Sequence, residues 1–285
     1  MKPGTNLELA VVGGGTMGAG IAYVSAQAGG RVFVVEPDEA RSEGLKRTVH
    51  DAVVSAIKRG KMDDEKGRAL AARIERVASV ERLPTGLDLI VESVPERLEL
   101  KLEVLARVAA RKSALVATNT SSLSIDRLAD AVADPASFLG MHFFNPVWSI
   151  KLVEIIRGGR TSPDAIESAR AVSAWLGKES LVVRDVPGFA TSRLDLIASL
   201  EAMRMLESGV AGAEDIDRAA VLAYRHPVGP LRLSDIVGLD VRLDIARSLE
   251  LAHGPRFAPP AILARMVSEG KLGAKVGQGF FTWPE

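Results

Sequence analysis

Residues 7–36 read LELAVVGGGTMGAGIAYVSAQAGGRVFVVE, and this stretch decides the fold class. The apolar run at 7–12 ends in glycines, as a buried parallel strand does where it turns into a helix. A helical stretch to Ala28 follows, Gly29-Gly30 stop it, and RVFVVE at 31–36 is the next strand. At the first turn, Gly13-Gly14-Gly15-Thr16-Met17-Gly18 satisfies G-x-G-x-x-G in the strand-to-helix context the motif requires. Gly13 permits the tight turn, Gly15 lets the backbone approach a pyrophosphate, and Gly18 lets the helix pack closely on its strand. The helix N-terminus favours the negative charge. Glu36 ends the second strand 18 residues after Gly18. A carboxylate there accepts hydrogen bonds from ribose hydroxyls and repels a 2′-phosphate. The stretch therefore predicts a dinucleotide site and selects NAD over NADP.

The alternation continues outward from this unit. A charged helix is expected over 38–59 and another from Asp63, as N-cap, to Glu75. LDLIVE at 87–92 reads as a strand. Pro95 opens a helix with Leu98, Leu102 and Leu105 on one face. SALVATN at 113–119, FLGMHF at 138–143 and IKLVEII at 150–156 are further strands, the last two joined by a loop containing Asn145-Pro146. Pro163 starts another helix and SLVV at 180–183 closes the series. Strands alternating with helices imply an α/β fold, a doubly wound Rossmann-type parallel sheet. Past Asp185-Val186-Pro187-Gly188 helical periodicity takes over, apart from a strand-like FFTW near the end. The expected division is a dinucleotide-binding domain at 1–186 and an all-helical domain at 187–285.

Composition bounds the function. Lys+Arg and Asp+Glu both count 36, so the zero net charge advertises neither nucleic acid nor an anionic membrane as partner. The chain has no cysteine, which excludes disulfides, thiolate nucleophiles and Cys-based metal sites; no metal is expected. The opening MKPGTNLELAVVGGG shows no signal segment, and no apolar run reaches the ~18 residues of a membrane span. A cytoplasmic location is the expectation.

Because the first strands serve the cofactor, reacting groups should lie at the carboxyl ends of later ones. Asn119-Thr120-Ser121-Ser122 follows one strand, His142 ends the next, and Glu154 lies 12 residues beyond it on the strand after. Burying an unpaired carboxylate is costly, so Glu154 needs a partner, and His142 is the obvious candidate. A carboxylate fixes the tautomer of a neighbouring imidazole and stabilises its protonated form, which suits a base that takes a hydroxyl proton as hydride leaves.

The stretches VVGGGTMGAGIA, ESVPERLELK, ATNTSSL, GMHFFNPV, KLVEII, DVPGFATSRL, HPVGPLRLSDIVGLD and KVGQGFF span nearly the whole chain. In this order the sequence resembles the L-3-hydroxyacyl-CoA dehydrogenase family, particularly its bacterial 3-hydroxybutyryl-CoA members. The resemblance implies His142 as catalytic base, Glu154 as the carboxylate that orients it, and Ser121 as a hydrogen-bond partner of the substrate oxygen. It implies NAD contacts at Glu96, Lys101, Asn145 and Lys275; read without it, Glu96 and Lys101 look like a pair on a solvated helix. After Pro-Gly-Phe the family usually carries Asn-Arg-Leu, whereas this chain has Ser192-Arg193-Leu194. That asparagine lies near the reacting oxygen and the substrate thioester, so Ser192 marks a departure at the substrate. CoA phosphates require cations, and Lys58-Arg59-Gly60-Lys61 offers Lys58 and Lys61. The implied reaction is NAD-dependent oxidation of a short (S)-3-hydroxyacyl-CoA, near four carbons, by a homodimer built through the helical domain. His226, in HPVGP at 226–230, is expected to shape a helix junction. Same-fold dehydrogenases of non-CoA hydroxy or sugar acids, and NAD-binding structural proteins without turnover, are the alternatives.

Overall fold

In the computed structural model, which describes residues 6–284, the chain divides between Val186 and Pro187 into two units. The first carries β1 (Glu8–Val12), β2 (Arg31–Val35), β3 (Ile74–Val77), β4 (Leu89–Glu92), β5 (Val116–Thr118), β6 (Phe138–Phe143), β7 (Leu152–Arg157) and β8 (Glu179–Arg184). The strands form one sheet in the order β3-β2-β1-β4-β5-β6-β7-β8. It winds outward in both directions from β1, so a crevice opens between the carboxyl ends of β1 and β4, where ligands of such sheets bind. The connecting helices are α1 (Thr16–Gln27), α2 (Glu39–Lys58), α3 (Asp64–Ala72), α4 (Leu98–Val108), α5 (Ile125–Leu128) and α6 (Pro163–Trp175). The inner strands β4 and β6 are buried along their whole length, as a sheet covered on both faces demands.

The glycine turn shows why its residues cannot carry side chains. Gly13 has φ +113°, and a Cβ there would come within 2.6 Å of the Ser93 carbonyl oxygen. A Cβ on Gly18 would lie 1.8 Å from the Gly13 carbonyl oxygen, so α1 starts hard against its own strand. From there α1 is buried continuously through Ala26.

Three expectations are corrected. The helix anticipated up to Glu75 ends at Ala72, and Ile74–Val77 forms the edge strand β3, paired in parallel with β2. IERV is short and only half covered, so its pattern merges with the preceding helix. The sheet is also not wholly parallel, because β7 runs antiparallel to β6. The loop 144–151 is too short for the crossover that a parallel return needs. The helix after β4 also starts at Leu98 rather than at Pro95, with Arg97 as its N-cap.

The second unit consists of α7 (Thr191–Glu207), α8 (Ala213–Tyr224), α9 (Pro230–Val237), α10 (Leu239–His253) and α11 (Ala261–Ser268). They pack around a core that includes Leu196, Leu200, Met203, Leu231, Leu239 and Leu263. FFTW contributes only an isolated bridge between Gln278 and Thr282. HPVGP is indeed a helix junction: the Asp217 carboxylate accepts from the Leu231 and Arg232 amides at 2.8 and 2.9 Å, capping α9. Among the described residues no helix is long and apolar enough to cross a membrane.

Candidate active site

A cleft of about 900 Å³ lies in the first unit at the carboxyl ends of the strands. Its walls include Gly13, Gly14, Gly15, Thr16 and Met17 from the glycine turn and Glu36 from the end of β2. Ser93 to Arg97 after β4, with Asn119, Ser121 and His142, complete the part that concerns chemistry. Gly18 is buried behind the turn and supports it. A Cβ on Gly15 would meet nothing within 4 Å, so the backbone there is open to a ligand. Glu36 is 4% exposed and held from both sides, Oε2 accepting from the Gly14 amide and Oε1 from the Asp38 amide, each at 3.1 Å. A fixed carboxylate beside an open glycine turn fits the adenosine side of NAD and opposes a 2′-phosphate. A second hollow of about 370 Å³ between α2, α3 and β3 has mainly apolar walls and none of the reacting candidates.

Beneath the cleft floor lies a charged network. Lys101 is fully buried and donates to both oxygens of the equally buried Glu92, at 2.8 and 2.9 Å. Glu92 also accepts from Thr118 Oγ1 at 2.6 Å and from the Val94 amide at 2.7 Å. Glu96, 3.5 Å from Lys101, gathers the turn after β5. It accepts from Thr120 Oγ1 at 2.5 Å and from the Ser121 and Ser122 amides at 2.9 and 3.1 Å. Burial pushes its carboxyl up, but the Thr120 hydroxyl, the Lys101 ammonium and the Ser121 amide hold it below the usual carboxylate range. The pair on a solvated helix that bare spacing suggests is overturned, since Lys101 has no exposure and Glu96 precedes α4. Lys101 is also absent from the cleft wall, whereas Glu96 lines it.

His142 and Glu154 face each other directly across the antiparallel β6–β7 pair. Nδ1 of His142 lies 2.9 Å from Oε2 of Glu154. Glu154 has no exposure, while His142 keeps 8% and lines the cleft. An ionised Glu154 accepts a hydrogen bond from Nδ1–H, which makes Nε2 the basic nitrogen. The Phe144 ring packs on the imidazole at 4.3 Å between centroids. Asn119 ties the neighbouring strand end in place, its Oδ1 accepting from the Phe143 amide at 2.9 Å. Ser121 sits exposed on the cleft wall, its Oγ 3.3 Å from Glu96.

Of the remaining candidates in the first unit, Asn145, Lys58 and Lys61 do not line this cleft. Asn145 is exposed in the β6–β7 loop, and Lys58 and Lys61 are exposed at and just past the end of α2. Ser192 lies in the first turn of α7 and Lys275 near the carboxyl end of the second unit, where Asp240 binds its ammonium through both oxygens at 2.6 Å. Sequence reasoning assigned no role to Glu92, Thr118, Thr120 or Lys178. Glu92 carries the same kind of signal as Glu154, a carboxylate in an otherwise apolar strand. Lys178 gives none: it is buried just before β8 and donates to the Val147 and Ile150 carbonyls at 2.6 and 2.7 Å, fastening the loop after His142. Burial pushes its ammonium below the usual lysine range.

The profile of the 3-hydroxyacyl-CoA dehydrogenase NAD binding domain matches residues 8–186, and that of the C-terminal domain matches 188–283. The chain is 40% identical over 284 residues to a 3-hydroxybutyryl-CoA dehydrogenase of Mycobacterium tuberculosis, covering 97% of this chain and 98% of that one. The crystal structure of (S)-3-hydroxybutyryl-CoA dehydrogenase PaaH1 from Ralstonia eutropha superposes with a TM-score of 0.94 at 34% identity, over 99% of this chain and all (100%) of that one. That of M. tuberculosis FadB2 gives 0.92 at 36%, over 98% and 100%. With both units matched in order and over nearly their whole length, the chain belongs to the 3-hydroxyacyl-CoA dehydrogenase family.

Proposed function

We propose that this protein oxidises short (S)-3-hydroxyacyl-CoA thioesters to the 3-ketoacyl-CoA, reversibly, with NAD rather than NADP. The observation that carries the reading is the His142–Glu154 pair on the wall of the cleft that also holds the glycine turn and Glu36. NAD+, when bound, supplies the hydride acceptor. His142 Nε2 takes the proton of the 3-hydroxyl, and Glu154 stabilises the imidazolium from the Nδ1 side. In the reverse direction the same imidazolium returns the proton. Ser121 positions the substrate oxygen, and Glu96 holds Ser121 in place through its amide and hydroxyl. The resemblance supports a substrate role for Ser192 and NAD roles for Asn145 and Lys275. Lys58 and Lys61 supply cations for the CoA phosphates.

The relatives named for the 3-hydroxybutyryl thioester support a four-carbon reference substrate. A homodimer through the second unit is supported by large apolar side chains left at its surface: Leu222 and Tyr224 on α8 are 71% and 77% exposed, and Leu251 on α10 is 90% exposed. The cytoplasm is the proposed site of action.

The test is NADH oxidation at 340 nm with acetoacetyl-CoA, beside free acetoacetate and an NADPH control, for wild type and His142→Ala. Turnover that needs the CoA moiety, NADH and His142 is the expected result. NADH binding with inert acetoacetyl-CoA would overturn the thioester reading and move the search to free hydroxy acids.

A further inference from the structure

Lys178 is 8% exposed, and its ammonium donates to the carbonyls of Val147 and Ile150, both in the loop that joins β6 to β7. Among the described residues no carboxylate pairs with it, and burial is what lowers its pKa. Burying an ammonium without a counter-charge is costly. A methionine of similar length would avoid that cost but strand the carbonyl of the buried Val147. The lysine is itself held at its backbone. Its amide donates to the Ser173 carbonyl at 2.9 Å, and the next amide, of Glu179, donates to the Lys151 carbonyl at 2.8 Å.

The loop fastened in this way touches two parts that concern the reaction. Val147 packs on the bare backbone of Gly20 in α1, where a Cβ would come within 2.6 Å of its Cγ2. Trp148 meets the Tyr23 ring of the same helix edge to face, at 5.6 Å between centroids. That helix is the one opened by the glycine turn. The loop starts at Phe144, whose ring packs on His142 at 4.3 Å between centroids. The hydrogen bond from Nδ1 to Glu154 sets one point of the imidazole, and the contact with Phe144 limits rotation of its plane.

We infer that Lys178 is a positioning residue for the reaction: it fixes the loop 144–151 so that Phe144 holds the His142 imidazole in the plane from which Nε2 works. The inference rests on the reading of His142 as base and extends it to a side chain that does not line the cleft. A lysine that only stabilised the sheet would move the unfolding midpoint and leave the imidazole as it is.

The experiment compares wild type, Lys178→Met, Phe144→Leu and the double variant. Steady-state assays with acetoacetyl-CoA and NADH give kcat and both KM values. Proton–nitrogen correlation spectra of the histidine rings report the state of His142; the chain has four histidines, and His142→Ala identifies its signals. Lys178→Met is expected to lower kcat about tenfold, keep KM for acetoacetyl-CoA within about threefold, and shift the His142 ring nitrogens. Phe144→Leu should do the same. The double variant should be little slower than Phe144→Leu alone, because both changes act through one contact. Unchanged ring signals in folded Lys178→Met overturn the inference, whatever happens to kcat. Losses that multiply in the double variant overturn it too, as does a raised KM for NADH at full kcat, which would assign the loop to the cofactor. Should Lys178→Met give no folded protein, Phe144→Leu decides: altered kcat and ring signals support the inference, and unchanged ones overturn it. If acetoacetyl-CoA is inert with wild type, the acyl-CoA reading has failed and the ring spectra alone decide. A shift in Lys178→Met then supports the positioning role, and identical spectra overturn it.

Discussion

The end of β4 and the β6–β7 pair solve the same electrostatic problem differently. Each buries a glutamate without exposure, Glu92 in one and Glu154 in the other, and each sets a nitrogen within 2.9 Å of it. At β4 the nitrogen belongs to Lys101, which is itself sealed and meets Glu92 through both carboxylate oxygens. At β6 it belongs to His142, which keeps 8% exposure and lines the cleft. A fully enclosed pair is a strut, because its charges exchange nothing with a substrate and resist separation. An imidazole with one side on a carboxylate and the other on a cleft can take up and return a proton. The chemistry is decided by where the second partner ends, not by the buried carboxylate.

The sharpest way to break this contrast is to remove the two nitrogens in turn. His142→Ala should lower kcat by about a hundred- to ten-thousand-fold, the range a positioned acid–base group contributes. Glu154→Gln should fall between wild type and His142→Ala, because it keeps the shape while removing the charge that stabilises the imidazolium. Steady-state assays of the purified variants measure both. If His142→Ala kept more than a tenth of wild-type kcat, the cleft-wall pair would be no more catalytic than the strut.

Lys101→Met probes the strut and should appear first in stability. Glu92 would keep Thr118 Oγ1 and the Val94 amide as donors but lose its counter-charge at zero exposure. Breaking such a pair costs about 3–5 kcal/mol, readable as a drop in the urea midpoint. Glu92→Gln combined with Lys101→Met should recover part of the loss by removing the stranded charge. A Lys101→Met variant of normal midpoint with a hundredfold lower kcat would reverse the assignment and place Lys101 at the reaction.

The same pair of regions shows what a sequence discloses. The glycine turn, Glu36 and the His142–Glu154 pairing were legible because each is a local or near-local signal. A glycine spacing, a strand-end carboxylate and two strands joined by a short loop bring their residues together with little tertiary help. Glu92 and Lys101 were harder, since the partner of Glu92 comes from the face of α4 that turns inward, and periodicity alone leaves that face undetermined. β3 escaped because a half-covered edge strand of four residues has too little pattern to stand apart from a helix. The reversal of β7 follows from loop length, which the alternation of strands and helices obscures. Lys178 and the loop it fastens come from segments with α6 between them, and nothing in either announces the other.

Glu36 extends the contrast to a third buried carboxylate, one held by backbone amides instead of a cation. Its role is discrimination, so its removal should move neither the midpoint as far as Lys101→Met nor kcat as far as His142→Ala. Glu36→Gln keeps an acceptor for one of the two amides and removes the charge. The ratio of kcat/KM for NADH over NADPH should then fall about tenfold, equivalent to roughly 1.4 kcal/mol. An unchanged ratio would assign the cofactor preference to other residues of the cleft.

The smallest expected effect belongs to Glu96, which touches both regions: Lys101 of the strut on one side and Ser121 of the cleft wall on the other. Its folded-state carboxyl is held below its ordinary value, the hydrogen bonds and the ammonium outweighing burial. The ionised group therefore adds stability above the unfolded value of about 4.3, and that contribution fades as pH falls through the lower folded value. With a third of the side chain exposed, solvent screening limits the effect to roughly 1 kcal/mol or less. Glu96→Gln should accordingly melt slightly below wild type at pH 7, with the difference shrinking as both proteins are taken below pH 4. A rise in KM for NADH at pH 7 without that convergence would show Glu96 working for the cleft rather than for the strut. Convergence with an unchanged KM would show that Ser121 keeps its position without help from the network beneath it.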